Sequence, residues 1–251
     1  GGNLGIDTVA KSPADGYTVL CTGNATHISN PFLYENQGFD PQKDLAPVAA
    51  IAGTGYVLLA GNKHKGKSLA DILAMVKSAP KPMTVGVASA TAHVLFGMLT
   101  DTAKVKLERV PYATGNAALF TDLMRGDTDF VIEALPSAMA PINNGQVTPI
   151  AITNPARTSF LPGVPTFKES GVDMTLIGWN AFYVPTGTPP EIVATLNRVA
   201  NVALKDPEVT KRFANVASEP IGGSPAQLES MIKSDRALFE PRIKALGLKA
   251  Q

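Results

Sequence analysis

The sequence predicts an α/β fold, on three observations. Runs of strand type alternate with runs of helical periodicity along most of the chain. The helical runs carry start signals where helices should begin. The 251 residues are 45% hydrophobic, enough to bury a core in one large domain or in two lobes of ordinary size. The βαβ rhythm predicts a mostly parallel sheet covered by helices.

The elements follow in chain order. Gly1, Gly2 and Gly5 read as the tail of a loop and Ile6–Lys11 as a short helix. An opening of this kind, with neither an initiator Met nor a signal peptide, reads as the middle of a longer protein. The turn "ADGYT" leads into a strand at Tyr17–Cys21. Further strands are expected at Ala46–Ile51, Tyr56–Ala60, Met83–Val87, Leu107–Val110, Thr128–Ile132, Val147–Ile152 and Ala181–Val184. Helices are expected at Leu69–Ser78, Ala92–Thr102, Ala117–Arg125, Leu135–Asn143, Glu191–Leu204, Glu208–Val216 and Pro225–Ala245. Ser68 precedes the first of these with Asp71 three residues on, Pro189 and Pro190 precede Glu191, and Ser224 precedes Pro225. Ser89 or Thr91 is the expected cap of the helix that follows Val87. Asn62–Lys67 and Pro185–Pro190 are the natural places for the chain to cross between lobes.

Composition excludes several functions. Net charge is +1 and no basic run exceeds a pair, which argues against nucleic acid as a partner. Apolar stretches such as Tyr56–Ala60 are too short to span a bilayer. Cys21 stands alone, so no disulfide framework and no cysteine-based metal site is expected. There is no GxSxG, HExxH, P-loop or GxGxxG pattern, and His27, His64 and His93 are dispersed. Ser89 and His93, four apart on one helix face, are the remaining hydrolase option; a Ser89 hydroxyl used as a helix cap would not be free to act as nucleophile.

Four small-polar loops stand out instead: Cys21–Pro31 ("CTGNATHISNP"), Gly86–His93 ("GVASATAH"), Val110–Leu119 ("VPYATGNAAL") and Ile132–Ala138 ("IEALPSA"). Each follows a strand and leads toward a helix, and none contains Lys or Arg. Ligands of open α/β sheets bind outside the carboxyl ends of the strands. Helix N-termini gathered there offer free N–H donors and a partial positive charge, so an anion held by neutral donors is expected.

These segments carry a resemblance. "GGNLGIDTVAKSPADGYTVL", "THISNPFLY", "DLAPVAAIA", Val110–Leu123, "LPSAMAPINNGQVTPIAITNPARTSFLPGVPTFKESG" and "GWNAFYVPTGTPPEIVATLN" arrive in order and at the right spacing. Together, over essentially the whole chain, they resemble the periplasmic solute-binding proteins of tripartite tricarboxylate transporters, the Bug family. The resemblance implies a type II periplasmic-binding-protein fold, with two α/β lobes joined by a hinge. The lobes would be roughly residues 1–62 with 183–251, and 63–182. It implies a periplasmic monomer without catalytic activity, metal or cofactor. Such a protein captures a small organic acid between the lobes (a mono-, di- or tricarboxylate, an aromatic acid or an acidic amino acid). It then delivers the acid to membrane transporter subunits; presenting it to a signalling partner is the alternative.

By position, the family's ligand contacts fall on Thr22, Gly23, Asn24, Thr26 and His27 of the first loop and on Ala88, Ser89, Ala90 and Thr91 of the second. They fall also on Tyr112, Thr114, Gly115 and Asn116, on Glu133 and Ser137, and on Gly178 with Trp179. The residues alone leave other roles open: Trp179 as core or hinge packing, Tyr112 as a packed ring, His27 as a partner of Asn30. Three departures from the family are expected to matter. An earlier strand–helix–strand unit is absent. Ala88 and Ala90 replace glycines, and Glu133 stands where Asp is common. A buried Glu133 would repel an anion unless it is protonated or meets an ammonium group; on a solvated rim it would do neither.

Overall fold

The computed structural model describes residues 3–33, 38–112, 115–245 and 247. Helix α1 (Asn3–Ala10) leads to the short strand β1 (Leu20–Gly23), and two single-turn helices follow, α2 (Ala25–Ile28) and α3 (Asn30–Leu33). The strand expected at Tyr17–Cys21 starts three residues later, with the ring of Tyr17 93% exposed. Next comes β2 (Leu45–Gly61), one 17-residue strand where the sequence predicts two. Gly53 and Gly55 look like a break but are not. A Cβ on Gly55 would lie 1.7 Å from Asn154 Oδ1, so glycine lets that side chain pack against a continuous strand.

Then follow α4 (Leu69–Ser78), β3 (Met83–Val87), α5 (Ala90–Ala103), β4 (Leu107–Pro111), α6 (Asn116–Arg125), β5 (Phe130–Ala134), α7 (Leu135–Asn143) and β6 (Val147–Ile152). Strand β7 (Ile177–Pro185), α8 (Pro190–Ala203), α9 (Pro207–Asn215), β8 (Glu219–Gly222) and α10 (Pro225–Ala245) complete the chain. The start signals hold. Ser68 and Asp71 form a reciprocal capping box on α4, and Ser224 and Gln227 exchange the same pair of bonds at α10.

The chain forms two compact units, Gly1–Gly53 with Trp179–Gln251, and Thr54–Gly178. Strands β2 and β7 each contribute residues to both. In the first unit, β1 pairs antiparallel with β7 and the first half of β2 pairs antiparallel with β8. Val48, Ala49, Ile51, Ala52 and Val184 form a core there with Ala200 and Leu204 of α8 and the residue after it.

In the second unit β3 is flanked by β4 and β5, both parallel to it, while the second half of β2 pairs antiparallel with β5 and β6. The sheet is therefore mixed rather than mostly parallel. The parallel pairs are β3–β4, joined through the crossover helix α5, and β3–β5, with β4 on the far side of β3; β2 runs against its neighbours. Val85, Val87, Val131, Ile132, Leu95, Leu99, Leu119 and Leu123 bury the two faces of this sheet against its helices.

Candidate functional site

The parallel order β4-β3-β5 has a direct consequence for the second unit. The carboxyl ends of three adjacent strands, at Val87, Pro111 and Ala134, share one sheet edge. Each is followed closely by a helix, so the N-termini of α5, α6 and α7 gather at that edge.

At α5 the cap is Ser89, whose Oγ accepts from the Ala92 N–H at 3.2 Å. Its carbonyl takes the His93 N–H at 3.0 Å. The N–H groups of Ala90 and Thr91, in the first turn, have no intrahelical partner by construction and remain available to an anion. Ala88, Ser89 and Ala90 are partly exposed whereas Thr91 is buried. Neither alanine has a positive φ, so their replacement of glycine is unstrained. No side-chain hydrogen bond joins Ser89 to His93 among the described residues. Burial and the nearby Arg109 hold the His93 pKa down at about 4.

Tyr56 of β2 completes this corner. Its backbone N–H donates to Thr153 Oγ1 at 2.8 Å, and its carbonyl accepts from the Thr153 N–H at 2.8 Å. Its buried hydroxyl interacts with the side chains of Thr91 and Ser89. Burial, with the Glu133 charge nearby, raises the phenol pKa, so the hydroxyl stays neutral. Gly178 lies against the same ring: a Cβ there would be 3.1 Å from Cε2.

Glu133 is opposite Val57 in the β2–β5 ladder and is 4% exposed, so it is not on a solvated rim. Its Oε1 accepts from the Ala134 N–H at 2.9 Å. Burial raises its pKa, against the Ala134 N–H and the side chains of Asn116 and Ser137, which favour the ionised form. Oε2 nevertheless accepts no hydrogen bond of good geometry among the described residues. Asn116 opens α6 directly after Gly115, whose φ of 96° requires glycine. Among the described residues, no cation acts on either Tyr56 or Glu133.

Tyr112 is engaged elsewhere. Its hydroxyl donates to Asp122 Oδ2 at 2.7 Å and lies 2.8 Å from Thr128 Oγ1, while its ring packs where a Cβ on Gly86 would be. Thr114 lies outside the described residues.

The first unit holds the remaining candidates. Thr22 and Thr26 share a hydrogen bond between hydroxyls at 2.8 Å. The Asn24 N–H donates to the Trp179 carbonyl at 2.8 Å, and Gly23 is close to Asn180. Trp179 is 3% exposed, and its indole N–H donates to Asp235 Oδ2 of α10 at 2.7 Å. Burial raises the Asp235 pKa against the hydrogen bonds from Trp179 and Asn24. His27 stacks on Tyr183, and its Nε2 donates to the Pro41 carbonyl at 2.9 Å, not to Asn30. Burial, aided by Arg236, lowers its pKa to about 4 although the Pro41 carbonyl and Asp40 oppose this; the ring is neutral at physiological pH.

The same unit contains a cavity of about 540 Å³ with Lys43, Lys233 and Arg236 among its lining residues, over an apolar floor that includes Leu45 and Ile232. Its cations set it apart from the neutral corner at α5. Sequence reasoning missed Tyr56 and Asp235 as site residues. Tyr56 reads as a strand aromatic and Asp235 as one charge on an amphipathic helix. Only the contacts of residues 35 and 56 positions distant in sequence mark them out.

Among the described residues, no group of His, Cys, Asp and Glu could hold a metal ion, and no helix is long and apolar enough to cross a membrane.

Comparison with known proteins places this geometry. A family model described as the tripartite tricarboxylate transporter family receptor matches residues 1–248. BugT of Bordetella pertussis is 28% identical, over 99% of this chain and 77% of BugT. Rpa4515 of R. palustris, solved with adipate, is similar in structure with a TM-score of 0.86 at 30% identity, over 99% of this chain and 84% of Rpa4515. MatC of Rhodopseudomonas palustris, solved with bound malate, has a TM-score of 0.78 at 25% identity, over 96% and 84% of the two chains. The α/β architecture is thus that of the periplasmic binding proteins of this group, and the chain belongs to the family of tripartite tricarboxylate transporter receptors.

Proposed function

We propose that this protein is a periplasmic solute receptor that captures a small organic carboxylate without transforming it and delivers it to a tripartite transporter. The observation that carries the reading is the corner of the second unit. Free N–H groups at the start of α5, with the hydroxyls of Tyr56 and Thr91, offer neutral donors to an anion; among the described residues no cation acts on Tyr56, and Arg109 acts on His93 further along α5. The loops at α6 and α7, through Gly115, Asn116, Thr114 and Ser137, and the loop Thr22–His27 of the first unit are the further proposed contacts. That relatives were solved with adipate and with malate supports a carboxylate as the solute.

The two compact units are the proposed lobes, each supplying contacts to the acid, so that binding favours the closed state the transporter accepts. Ser89 Oγ serves as a helix cap and shares no side-chain hydrogen bond with His93 among the described residues, which supports binding over hydrolysis.

A melting-temperature screen over mono-, di- and tricarboxylates, aromatic acids and amino acids tests the reading. An acid present at 100 times its Kd adds about 2.7 kcal/mol of stability, and several degrees to the Tm. A flat response across the whole panel would overturn the proposed function.

A further inference from the structure

Glu133 is a carboxylate with one oxygen satisfied and one not. Oε1 takes the Ala134 N–H, while Oε2 is buried and accepts no hydrogen bond of good geometry among the described residues, although the Asn116 and Ser137 side chains are near enough to favour the ionised form; the residue is 4% exposed. Buried polar atoms are nearly always paired, because an unpaired acceptor carries the full cost of its desolvation. Tyr56 links this carboxyl to the start of α5: its hydroxyl interacts with Thr91 and Ser89 and feels the Glu133 charge. The corner therefore presents two opposite demands a short distance apart. Free N–H groups at α5 call for an anion, and Glu133 Oε2 calls for a donor.

We propose that Glu133 selects among carboxylates, its Oε2 accepting a hydrogen bond from a hydroxyl or ammonium group on the bound acid while the acid's carboxylate lies at the N-terminus of α5. This inference rests on the carboxylate-receptor reading and narrows it. A donor-free acid leaves Oε2 without a partner of good geometry, and a second carboxylate brought against Glu133 meets a like charge that no cation among the described residues offsets. An acid bearing a donor satisfies both demands at once.

Matched acids differing only at one carbon test this: succinate, malate and aspartate, with glutarate, 2-hydroxyglutarate and glutamate, and butyrate with its 2-hydroxy and 2-amino forms. Melting shifts find the preferred chain length and calorimetry then measures each Kd. The expected result is that the hydroxylated or aminated member of the preferred set binds at least about tenfold tighter than the donor-free member. Glu133→Gln weakens that preference to a degree that separates the two donors. An ammonium ligand loses at least about a hundredfold, whereas a hydroxyl ligand, which still finds an amide oxygen, loses about tenfold or less. The urea midpoint of acid-free Glu133→Gln checks its folding, and Glu133→Asp, which withdraws the carboxylate by one methylene, serves if Gln is not tolerated. Equal or tighter binding of the donor-free acid overturns the inference and leaves the receptor reading intact. Failure of every acid in all three sets to shift the melting temperature, where another acid of the wider panel does, likewise overturns the inference alone; a flat response across the whole panel overturns the receptor reading itself.

Discussion

Replacing Thr91 with Val separates a binding role from a folding role at the α5 corner. The two side chains have nearly the same shape, and the buried position accepts a methyl group, so the change removes one hydroxyl and little else. Ser89, not Thr91, is the N-cap, so the helix keeps its cap and the first-turn N–H groups. What folding loses is a neutral hydrogen bond with Tyr56, whose hydroxyl retains Ser89 as a neighbour. That is worth about 1 kcal/mol. With a urea slope of about 3 kcal/mol per molar, the midpoint should fall by about 0.3 M. If the Thr91 hydroxyl also donates to a bound carboxylate, that charged bond is worth about 1.5–3 kcal/mol, and the Kd should rise about ten- to a hundredfold. The assay is calorimetric Kd for the acid chosen by the melting screen, beside urea midpoints of the acid-free proteins. A lowered midpoint with an unchanged Kd would refute the reasoning and make Thr91 a structural residue only.

Three further outcomes are expected. The His27 pKa is lowered from 6.5 to about 4, so unfolded chains bind its proton first as pH falls; the sign is a loss of stability between about pH 6.5 and 4, of about 3 kcal/mol for this group. Urea midpoints across that range check it, and a His27→Gln variant should show a shallower slope. Gly55→Ala should destabilise by about 1–3 kcal/mol through collision with the Asn154 side chain, and Asn154→Ala in the same chain should recover much of that loss, as a double-mutant cycle of melting temperatures would show. Trp179 is the first residue of the returning segment of the first unit and is held by Asp235. Its emission should shift when the selected acid saturates the protein, and constant emission and quencher access would remove it from the hinge.

Much of this architecture is legible in the sequence because local signals agree there. Met83–Val87, Leu69–Ser78, Leu135–Asn143, Val147–Ile152 and Pro225–Ala245 form where periodicity and caps put them. The failures share a cause, that the deciding contact is distant in sequence. Gly53 and Gly55 look like a strand break until Asn154 is found filling the space beside Gly55. The antiparallel half of the sheet is invisible to a reading of successive elements, because β2 pairs with β5, β6 and β8. The turns α2 and α3 lie in a stretch rich in small polar residues, which reads as loop. At the candidate site the strand-to-helix loops are legible one by one. That three of them share an edge follows from the order β4-β3-β5, and the Tyr56 hydroxyl beside Ser89 and Thr91 needs the fold.

The claim that neutral donors hold the anion meets its most direct test in calorimetric titration of the selected acid at low and at high salt. Pre-organised N–H and hydroxyl donors are poorly screened, so the prediction is saturable binding of one acid per chain with a Kd that changes by no more than about threefold. A fall in affinity of several orders of magnitude would contradict the account and move the anion to a cationic site; the cavity lined by Lys43, Lys233 and Arg236, with Glu229, is one such place among the described residues.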